Sequence, residues 1–456
     1  MAEKEQKTVH FIGIGGVGMS AAASISLERG FSVSGCDLQR NKYTEQLEQK
    51  GCTVYYSHSP DHVENADIVV YSSAIPPEIE ELKEAFTKDI PVYKRAIYTL
   101  KLMEEKKLVG VSGSHGKTTT TWMTGHAFLS TGLEPSLMVG GTVPELYGNF
   151  RIGTGEWFIS EVDESDGTIR EINPFISVIT NIDSEHMDFY KTKGSLSDAF
   201  CSFCSNTARE GSVILCGEDE GCRKLGEQLD REYCTYGFSN TCDVYASDIS
   251  EQDLYSEFTI IYKETTYSNV RLQFCGEHNI LNSLAAFSAA VSGGIDPAKV
   301  VKSIELCRPV GRRFELSGNR DEVVLINDYA HHPTEIKAVL KAVETHFNSF
   351  RKIAVFQPHR YTRLRDCWEK FLHSFSSTNI LIVLPVYSAN EEPIHSVNAK
   401  RFTESCRESG IQAEYIKKDL VCRHLDTIVR KGDCVMFLGA GDIGDVYSEF
   451  ARSITV

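Results

Sequence analysis

The chain reads as three successive α/β domains, and three observations predict this. At 456 residues it exceeds what one core normally holds, and its 41% hydrophobic fraction supplies apolar side chains for several. Short, continuously apolar runs of strand length alternate with helical segments, as in parallel sheets covered on both faces. Three of these runs end in glycine-rich turns that open a helix, at Gly13–Gly18, Gly113–Gly116 and Gly439–Gly444.

The first expected domain, 1–105, is Rossmann-like. An apolar strand over Val9–Gly13 runs into Gly13, Gly15, Gly16 and Gly18, and a helix of small residues follows from Ala21. A second strand over Phe31–Cys36 ends on Asp37, about 20 residues after the turn, where this fold places an acid for a ribose. A third strand is expected over Asp67–Ser72. The pattern points to a nucleotide diphosphate and does not separate NAD from a UDP-sugar; a purely structural glycine turn is the alternative.

The second expected domain, 106–308, is P-loop ATPase-like. After the strand at Leu108 come Gly113, Ser114, His115 and Gly116, then Lys117, Thr118 and Thr119 at the start of a helix. Small residues let backbone N–H groups converge on phosphate oxygens, and the helix adds its positive end. Lys117 can reach the terminal phosphates of ATP, and Thr118 or Thr119 can ligate Mg²⁺. The strict Walker spacing asks for glycine at 111, where this chain has valine. Further strands are expected at Trp157–Ser160, Ile176–Thr180 and Ser212–Leu215, then antiparallel strands in the alternating stretch Cys242–Phe274, such as Glu257–Tyr262 and Val270–Phe274, and an alanine-rich helix over Asn279–Val291.

The third expected domain, 309–456, is again Rossmann-like, with buried-type strands at Val323–Asn327, Lys352–Phe356, Ile380–Leu384 and Cys434–Leu438. Its terminal turn, Gly439–Gly444, is expected to act mainly as a sharp strand-to-helix corner.

Composition narrows the partners. Forty-seven basic against 63 acidic residues give a net charge of −16, which argues against nucleic acid and anionic membrane. The fourteen cysteines are scattered, and the lone close pair, Cys201 and Cys204, lacks a second pair for zinc, so reduced core thiols are expected. Neither an apolar leader nor a run of ~18 apolar residues occurs, so a cytoplasmic chain without membrane insertion is expected.

Polar groups should gather at strand ends, where open α/β sheets bind ligands. Glu161, Asp163, Glu164 and Asp166 follow one strand; Asn181, Asp183, Glu185, His186 and Asp188 follow another. Glu161 and His186, on adjacent strand ends facing Lys117, are candidate Mg²⁺ ligands, with helix capping as the alternative role for the acids. Asn279 and Asn282, three apart on one helical face, can read an adenine edge, although Asn279 can equally cap the helix. Arg312, Arg313, Asp328, Tyr329, His331, His332, His359, Arg360 and Arg363 cluster after the later strands, and the arginines suit an acidic substrate.

These blocks, in this order, resemble the Mur ligase superfamily, and most closely its alanine-adding branch. The resemblance covers essentially the whole chain through Gly13–Ser20, Gly113–Thr120, Glu161–Asp166, Asn181–Asp188, His278–Asn282, Gly311–Phe314, Asp328–Thr334 and Gln357–Arg363. It implies ATP-dependent ligation of L-alanine to UDP-N-acetylmuramate through an acyl phosphate, with Mg²⁺ as cofactor and Mn²⁺ able to substitute. The carried-over roles are catalysis by Lys117, Glu161 and His186, with Thr118, Glu161 and His186 as metal ligands. ATP falls to Gly113, Ser114, His115, Gly116, Lys117, Thr118, Thr119, Asn279, Asn282, Arg313 and Asp328. The UDP-sugar falls to Gly13, Gly15, Gly16, Gly18 and Ser20, and the amino acid to Tyr329, His331, Arg360 and Arg363. A monomer or homodimer is expected. The amine's base is left open among His186, Glu185 and His332. Ser114 stands where the family usually has threonine, and Leu196–Phe203 lacks the lysine that sister ligases carbamylate. A tripeptide-recycling ligase, an NAD-dependent oxidoreductase and a nucleotide-gated binding protein are the competing readings.

Overall fold

Alternation along the strands sets the layers. In the C-terminal sheet Ile326, Ala354, Phe356, Leu381 and Met436 enter one apolar cluster, while Leu325, Ile353, Val355, Ile382 and Val435 enter another. Both faces are therefore buried, each large apolar side chain contributing about 1.5–3 kcal/mol. A one-residue slip would interchange the two sets, so packing fixes the register.

The structure is a computed structural model that describes residues 6–455 apart from 73–74, 77, 184–185, 253–254, 274, 318–322 and 390. Its strands fall into three sheets. The chain separates into two compact units, one holding residues up to Tyr245 with 262–264 and 282–304, the other holding 246–261, 265–281 and 305 onward.

The first unit carries two sheets. Strands β1 (Thr8–Ile12), β2 (Ser32–Cys36), β3 (Thr53–Tyr55), β4 (Ile68–Tyr71) and β5 (Val92–Lys94) lie parallel in the order β3-β2-β1-β4-β5. The order reverses at β1, so the turn at Gly13 opens at the topological switch point, where ligands bind. Next come β6 (Lys107–Ser112), β7 (Ser136–Val143), β8 (Gly148–Arg151), β9 (Trp157–Glu161), β10 (Ile176–Ile179), β11 (Ser212–Cys216) and β12 (Cys234–Gly237). They run β12-β11-β10-β6-β9-β7-β8, with β8 antiparallel to β7. Strand β6 thus lies between β9 and β10. Glu161 and His186 therefore follow strands on opposite sides of β6, a correction to the expected neighbouring strand ends.

Strands β13 (Val244–Gln252), β14 (Tyr255–Tyr262) and β15 (Thr265–Leu272) follow one another in space, with β14 and β15 joined by the turn at Lys263 and Glu264. In the second unit β16 (Glu315–Ser317), β17 (Val324–Asp328), β18 (Arg351–Phe356), β19 (Ile380–Val383), β20 (Ala413–Tyr415) and β21 (Asp433–Leu438) run β16-β17-β21-β18-β19-β20. All are parallel except β16, an antiparallel edge strand absent from the sequence expectation. The expected strands recur within a few residues, although Phe274 lies outside the described residues. The short strands β3, β5, β12 and β20 and the β7–β8 hairpin were not anticipated. Among the described residues no helix is long and apolar enough to cross a membrane.

Candidate functional site

The loop after β6 is held open from behind. Asn181 accepts from His115 N at 2.9 Å and returns its Nδ2 to His115 O at 2.9 Å, while its carbonyl accepts from Ser114 N at 3.0 Å. Ser114 Oγ accepts from Asp183 N at 2.8 Å. The N–H groups of Ser114 and His115 are thus spent on the loop itself. The helix Lys117–Ser130 starts from Gly116, an N-cap without a side-chain bond, so its positive end faces the loop. Glycine is required twice. Gly113 has φ 128, and a Cβ there would meet Thr180 Oγ1 at 2.2 Å; Gly116 has φ 84, and a Cβ there would meet Asn282 Oδ1 at 2.5 Å.

Lys117 and Thr118 each point at an acid. Lys117 Nζ bonds both Glu164 oxygens, at 3.1 and 3.0 Å, and the carbonyls of Gly113 and Ser114. Thr118 Oγ1 donates to Glu161 Oε2 at 2.8 Å, and Gly140 N donates to the same oxygen at 3.1 Å. His186, in the left-handed region with φ 56, lies 3.5 Å from Glu164 through Nε2. Ligand atoms of Asp163, Glu164 and His186 all lie within 4.8 Å of one another. Desolvation pushes the Asp163 carboxyl up, but Lys117, the Ser165 N–H, His186 and Arg95 outweigh it and hold the group below the usual carboxylate range. Two carboxylates and an imidazole beside a phosphate loop are a donor set that fits a divalent cation sharing its sphere with phosphate and water. Glu161 is not in that group; it stands one step away, on the Thr118 hydroxyl.

At the first glycine turn, Gly13 N and Ile14 N donate to Cys36 O, and Gly15 N donates to Asp37 Oδ2 at 2.9 Å. Asp37 therefore braces the turn. A Cβ on Gly15 would meet Asn41 Nδ2 at 2.7 Å, and one on Gly18 would meet the Arg95 guanidinium at 3.0 Å. Gly16 caps the helix Val17–Glu28 without a side-chain bond. Arg95 brings to this turn the cation that its own helix lacks, since Val17 stands where the second loop has Lys117. Ser20, whose Oγ donates to Val17 O at 3.0 Å, lines a cavity of about 620 Å³ with Tyr43, Gln46, Asn149 and Arg151; the four glycines do not line it.

Asn279 and Asn282 lie on the helix Glu277–Ser292 and are both buried. Asn279 Nδ2 donates to Cys275 O at 2.8 Å from inside the first helical turn, which is not the N-cap that the sequence left open, and Asn282 Oδ1 accepts from Thr120 Oγ1 at 3.2 Å beneath the phosphate loop.

In the second unit, Asp328 ends β17 and accepts from Phe314 N and Ala330 N, each at 2.7 Å. Burial raises its pKa to about 6 against the pull of Arg313 and these N–H groups. The guanidinium groups of Arg312 and Arg313 lie 5.0 and 5.2 Å from the Tyr329 ring centre. His331 packs edge-on against Tyr329 and His359, and His359 stacks on Tyr387 at 5.5 Å. Arg363 Nη1 lies 3.1 Å from His359 Nδ1, and Arg360, with φ 69, approaches Glu391 at 3.6 Å. Burial and the neighbouring arginines lower His359 to about 3 and push His331 well below its ordinary value. The result is a basic patch with neutral imidazoles, suited to a small anion. At the third turn Arg312 donates to the carbonyls of Gly439 and Gly441, and Gln357 binds Asp442 and Ile443 N. Carbonyls and a carboxylate are presented there, as a structural corner requires.

Glu164, Asn181, Arg95, His359 and Glu391 were not singled out for these roles in the sequence. Glu164 and Asn181 sat inside acidic and polar blocks that were noticed as wholes. Arg95 carries no local signal, because only the fold brings it to Gly18. Glu185 lies outside the described residues, and His332 is buried at the start of the helix Pro333–His346.

Three family models match in succession: the Mur ligase family, catalytic domain over residues 8–107, the Mur ligase middle domain over 111–290, and the Mur ligase, glutamate ligase domain over 312–441. The chain is 39% identical over 445 residues to a UDP-N-acetylmuramate–L-alanine ligase of Dictyoglomus turgidum, covering 96% of this chain and 95% of that one. It is 37% identical over 457 residues to a ligase of the same name from Aquifex aeolicus, covering all of both. The crystal structure of UDP-N-acetylmuramate-alanine ligase from Thermotoga maritima aligns with a TM-score of 0.83 at 27% identity, over 98% of this chain and 99% of that one. With three family models matched in succession and relatives at this level along its full length, the chain belongs to the Mur ligase family.

Proposed function

We propose that the protein joins L-alanine to UDP-N-acetylmuramate at the expense of ATP, giving UDP-N-acetylmuramoyl-L-alanine, ADP and phosphate. The observation that carries this reading is the pairing of Lys117 with Glu164, and of Thr118 with Glu161, at the mouth of the loop after β6. In that reading the first turn of Lys117–Ser130 and the Lys117 ammonium hold the phosphates, and the muramyl carboxylate becomes an acyl phosphate. A bare carboxylate would have to expel oxide to accept an amine; phosphorylation gives it a leaving group.

Mg²⁺, when bound, would neutralise charge on the transferred phosphoryl group. Asp163, Glu164 and His186 would hold it, with Glu161 and the Thr118 hydroxyl beside them. Lys117 would leave Glu164 for the phosphates as ATP enters, so the acid acts as a resting partner for the ammonium. Asn279 and Asn282 are proposed at the adenine, and Arg313 and Asp328 at phosphate and ribose. The turn Gly13–Gly18, with Ser20 and Arg95, would take the UDP-sugar. Arg360 and Arg363, with Tyr329, His331 and His359, would receive the alanine carboxylate; the depressed pKa values of both imidazoles keep them from adding charge there. The three tasks are assigned to 1–105, 106–308 and 309–456. We place the reaction in the cytoplasm, with a monomer or homodimer as the working form.

The test is phosphate release with ATP, Mg²⁺ and UDP-N-acetylmuramate, each amino acid being added in turn and the product weighed by mass spectrometry. Release that depends on L-alanine, with a product one alanyl residue heavier, is expected. Release only with a peptide would move the protein to the recycling branch, and none with any amine would end the ligase reading.

A further inference from the structure

The sheet β3-β2-β1-β4-β5 contains a group of side chains that the proposed ligation does not use. His10 projects from β1, Cys36 closes β2, His58 and His62 lie on the segment after β3, and Glu81 begins the helix Glu80–Thr87. His10, Cys36 and Glu81 are fully buried, and His62 is nearly so. One ligand atom each of His10, Cys36 and His62 falls within a mutual 4.8 Å, and the same holds for Cys36, His58 and Glu81. Cys36 Sγ lies 3.5 Å from Glu81 Oε1, and His62 Nδ1 lies 3.4 Å from the same oxygen. A tetrahedral ion with bonds of about 2.0–2.3 Å has ligand–ligand edges of roughly 3.3–3.8 Å, so the His10, Cys36 and His62 atoms, within 4.8 Å of one another, reach a coordination sphere by shifts of no more than about an ångström.

A second observation is independent of the spacing. His10 Nε2, His62 Nδ1 and Glu81 Oε2 are buried and have no hydrogen-bond partner. Buried polar atoms are nearly always satisfied, and three left open within one cluster call for a missing partner. The opposite edges are already braced. His10 Nδ1 lies 2.9 Å from Ser34 Oγ, which turns Nε2 inward. Glu81 Oε1 is held by His58 Nδ1 at 2.9 Å and Ser59 N at 3.0 Å, and the His62 ring stacks on Tyr55 at 4.1 Å. Outer contacts of this kind orient the ligands of metal sites.

We propose that His10, Cys36 Sγ and one ring nitrogen of His62 form a site for one divalent transition ion of the zinc class, with the Glu81 carboxylate standing beside it. Two imidazoles and a thiolate suit a borderline-soft ion and not Mg²⁺ or Ca²⁺. Binding converts the Cys36 thiol to thiolate and releases its proton to solvent. The ion would tie β1, β2 and the turn Pro60–Val63 together just below the Gly13 turn, whose first N–H groups rest on the Cys36 carbonyl.

The test is titration of the chelator-stripped full chain with Co²⁺, followed by Zn²⁺. One equivalent of Co²⁺ should produce tetrahedral visible bands with a near-ultraviolet thiolate band, and Zn²⁺ should abolish them. The Asp163–Glu164–His186 group has no thiol and cannot give that band. Cys36→Ser and His62→Asn should each lose it, Cys201→Ser should keep it, and Ser34→Ala should weaken Co²⁺ about 10–100-fold. Should Cys36→Ser fail to fold by circular dichroism, His62→Asn decides alone. Absence of the thiolate band in the unaltered chain, or its full survival in either ligand variant, would overturn the site.

Discussion

The turns Gly13–Gly18 and Gly113–Gly116 look alike in sequence, each a strand, a glycine run and a helix, yet they are completed by different means. The second carries its own cation, because Lys117 is the first residue of its helix, and a buried acid waits on that cation. The first has Val17 in the equivalent place and borrows Arg95 from the helix Arg95–Leu102, far along the chain. Their glycines also serve different ends. Gly113 and Gly116 are demanded by backbone conformation and by rigid neighbours, whereas Gly18 makes room for the tip of a flexible arginine. A glycine pattern therefore announces a cradle; the charge that fills it is decided by residues that the pattern does not contain.

The largest expected effect tests the self-contained cation. Lys117→Ala should lower ligation by about 10³-fold, the scale of losing one preorganised group that meets transferred charge. It should also destabilise the fold by about 3 kcal/mol, because Glu164, at 1% side-chain exposure, exchanges its ammonium partner for the longer His186 contact at 3.5 Å alone. The double variant Lys117→Ala with Glu164→Gln should regain most of the stability in urea melts and none of the activity. Recovery of neither would show that the pair does not couple, and the contrast with the first turn would fail.

Next comes the rigidity of the same loop. Gly113→Ala should cost about 3 kcal/mol, from a strained φ and a Cβ driven against Thr180 and the Asn181 backbone. A melting temperature within two or three degrees of the unaltered chain would mean that the loop yields, contrary to the geometry. The third turn supplies a contrast through pH, since Gly439 N donates to the Asp328 carbonyl and the Asp328 carboxyl sits beside this corner with a pKa of about 6. That value is raised above the unfolded one, so the folded state keeps a proton that the unfolded state has released. Stability therefore falls as pH rises from about 4 to 6, by up to about 3 kcal/mol, and the penalty is absent below that window. Asp328→Asn should remove this slope. Identical pH–stability curves for the two proteins would place the carboxyl at its ordinary value.

Legibility followed locality. The phosphate loop, the acidic run after β9 and the arginines of 360–363 are contiguous in the sequence, so their chemistry could be read before the fold was seen. Apolar runs of four to six residues gave the central strands for the same reason, since strands buried on both faces need no longer pattern. What escaped depended on folding. The β7–β8 hairpin and the edge strand β16 carry mixed polarity because they lie at sheet margins. Arg95 reaches Gly18 only once β5 is laid beside β4. Asn181 closes the phosphate loop because β10 pairs with β6. Glu164 was visible but indistinguishable from the three acids around it; its burial, not its identity, selects it.

The smallest effect sharpens the comparison at the first turn. A Cβ on Gly16 would meet nothing nearer than Gly13 O at 3.6 Å, an ordinary contact, so Gly16→Ala should leave stability unchanged within about 0.5 kcal/mol. Gly18→Ala would press on the Arg95 guanidinium at 3.0 Å, but that group is the end of a flexible chain and can move by a few tenths of an ångström. Its fold should lose less than about 1 kcal/mol, while KM for UDP-N-acetylmuramate rises several-fold and KM for ATP stays fixed. The two variants add the same methyl group one helical turn apart or less, so only the position of Arg95 distinguishes them. Equal KM values for the sugar nucleotide in both would detach Arg95 from the first turn and leave that cradle without its cation.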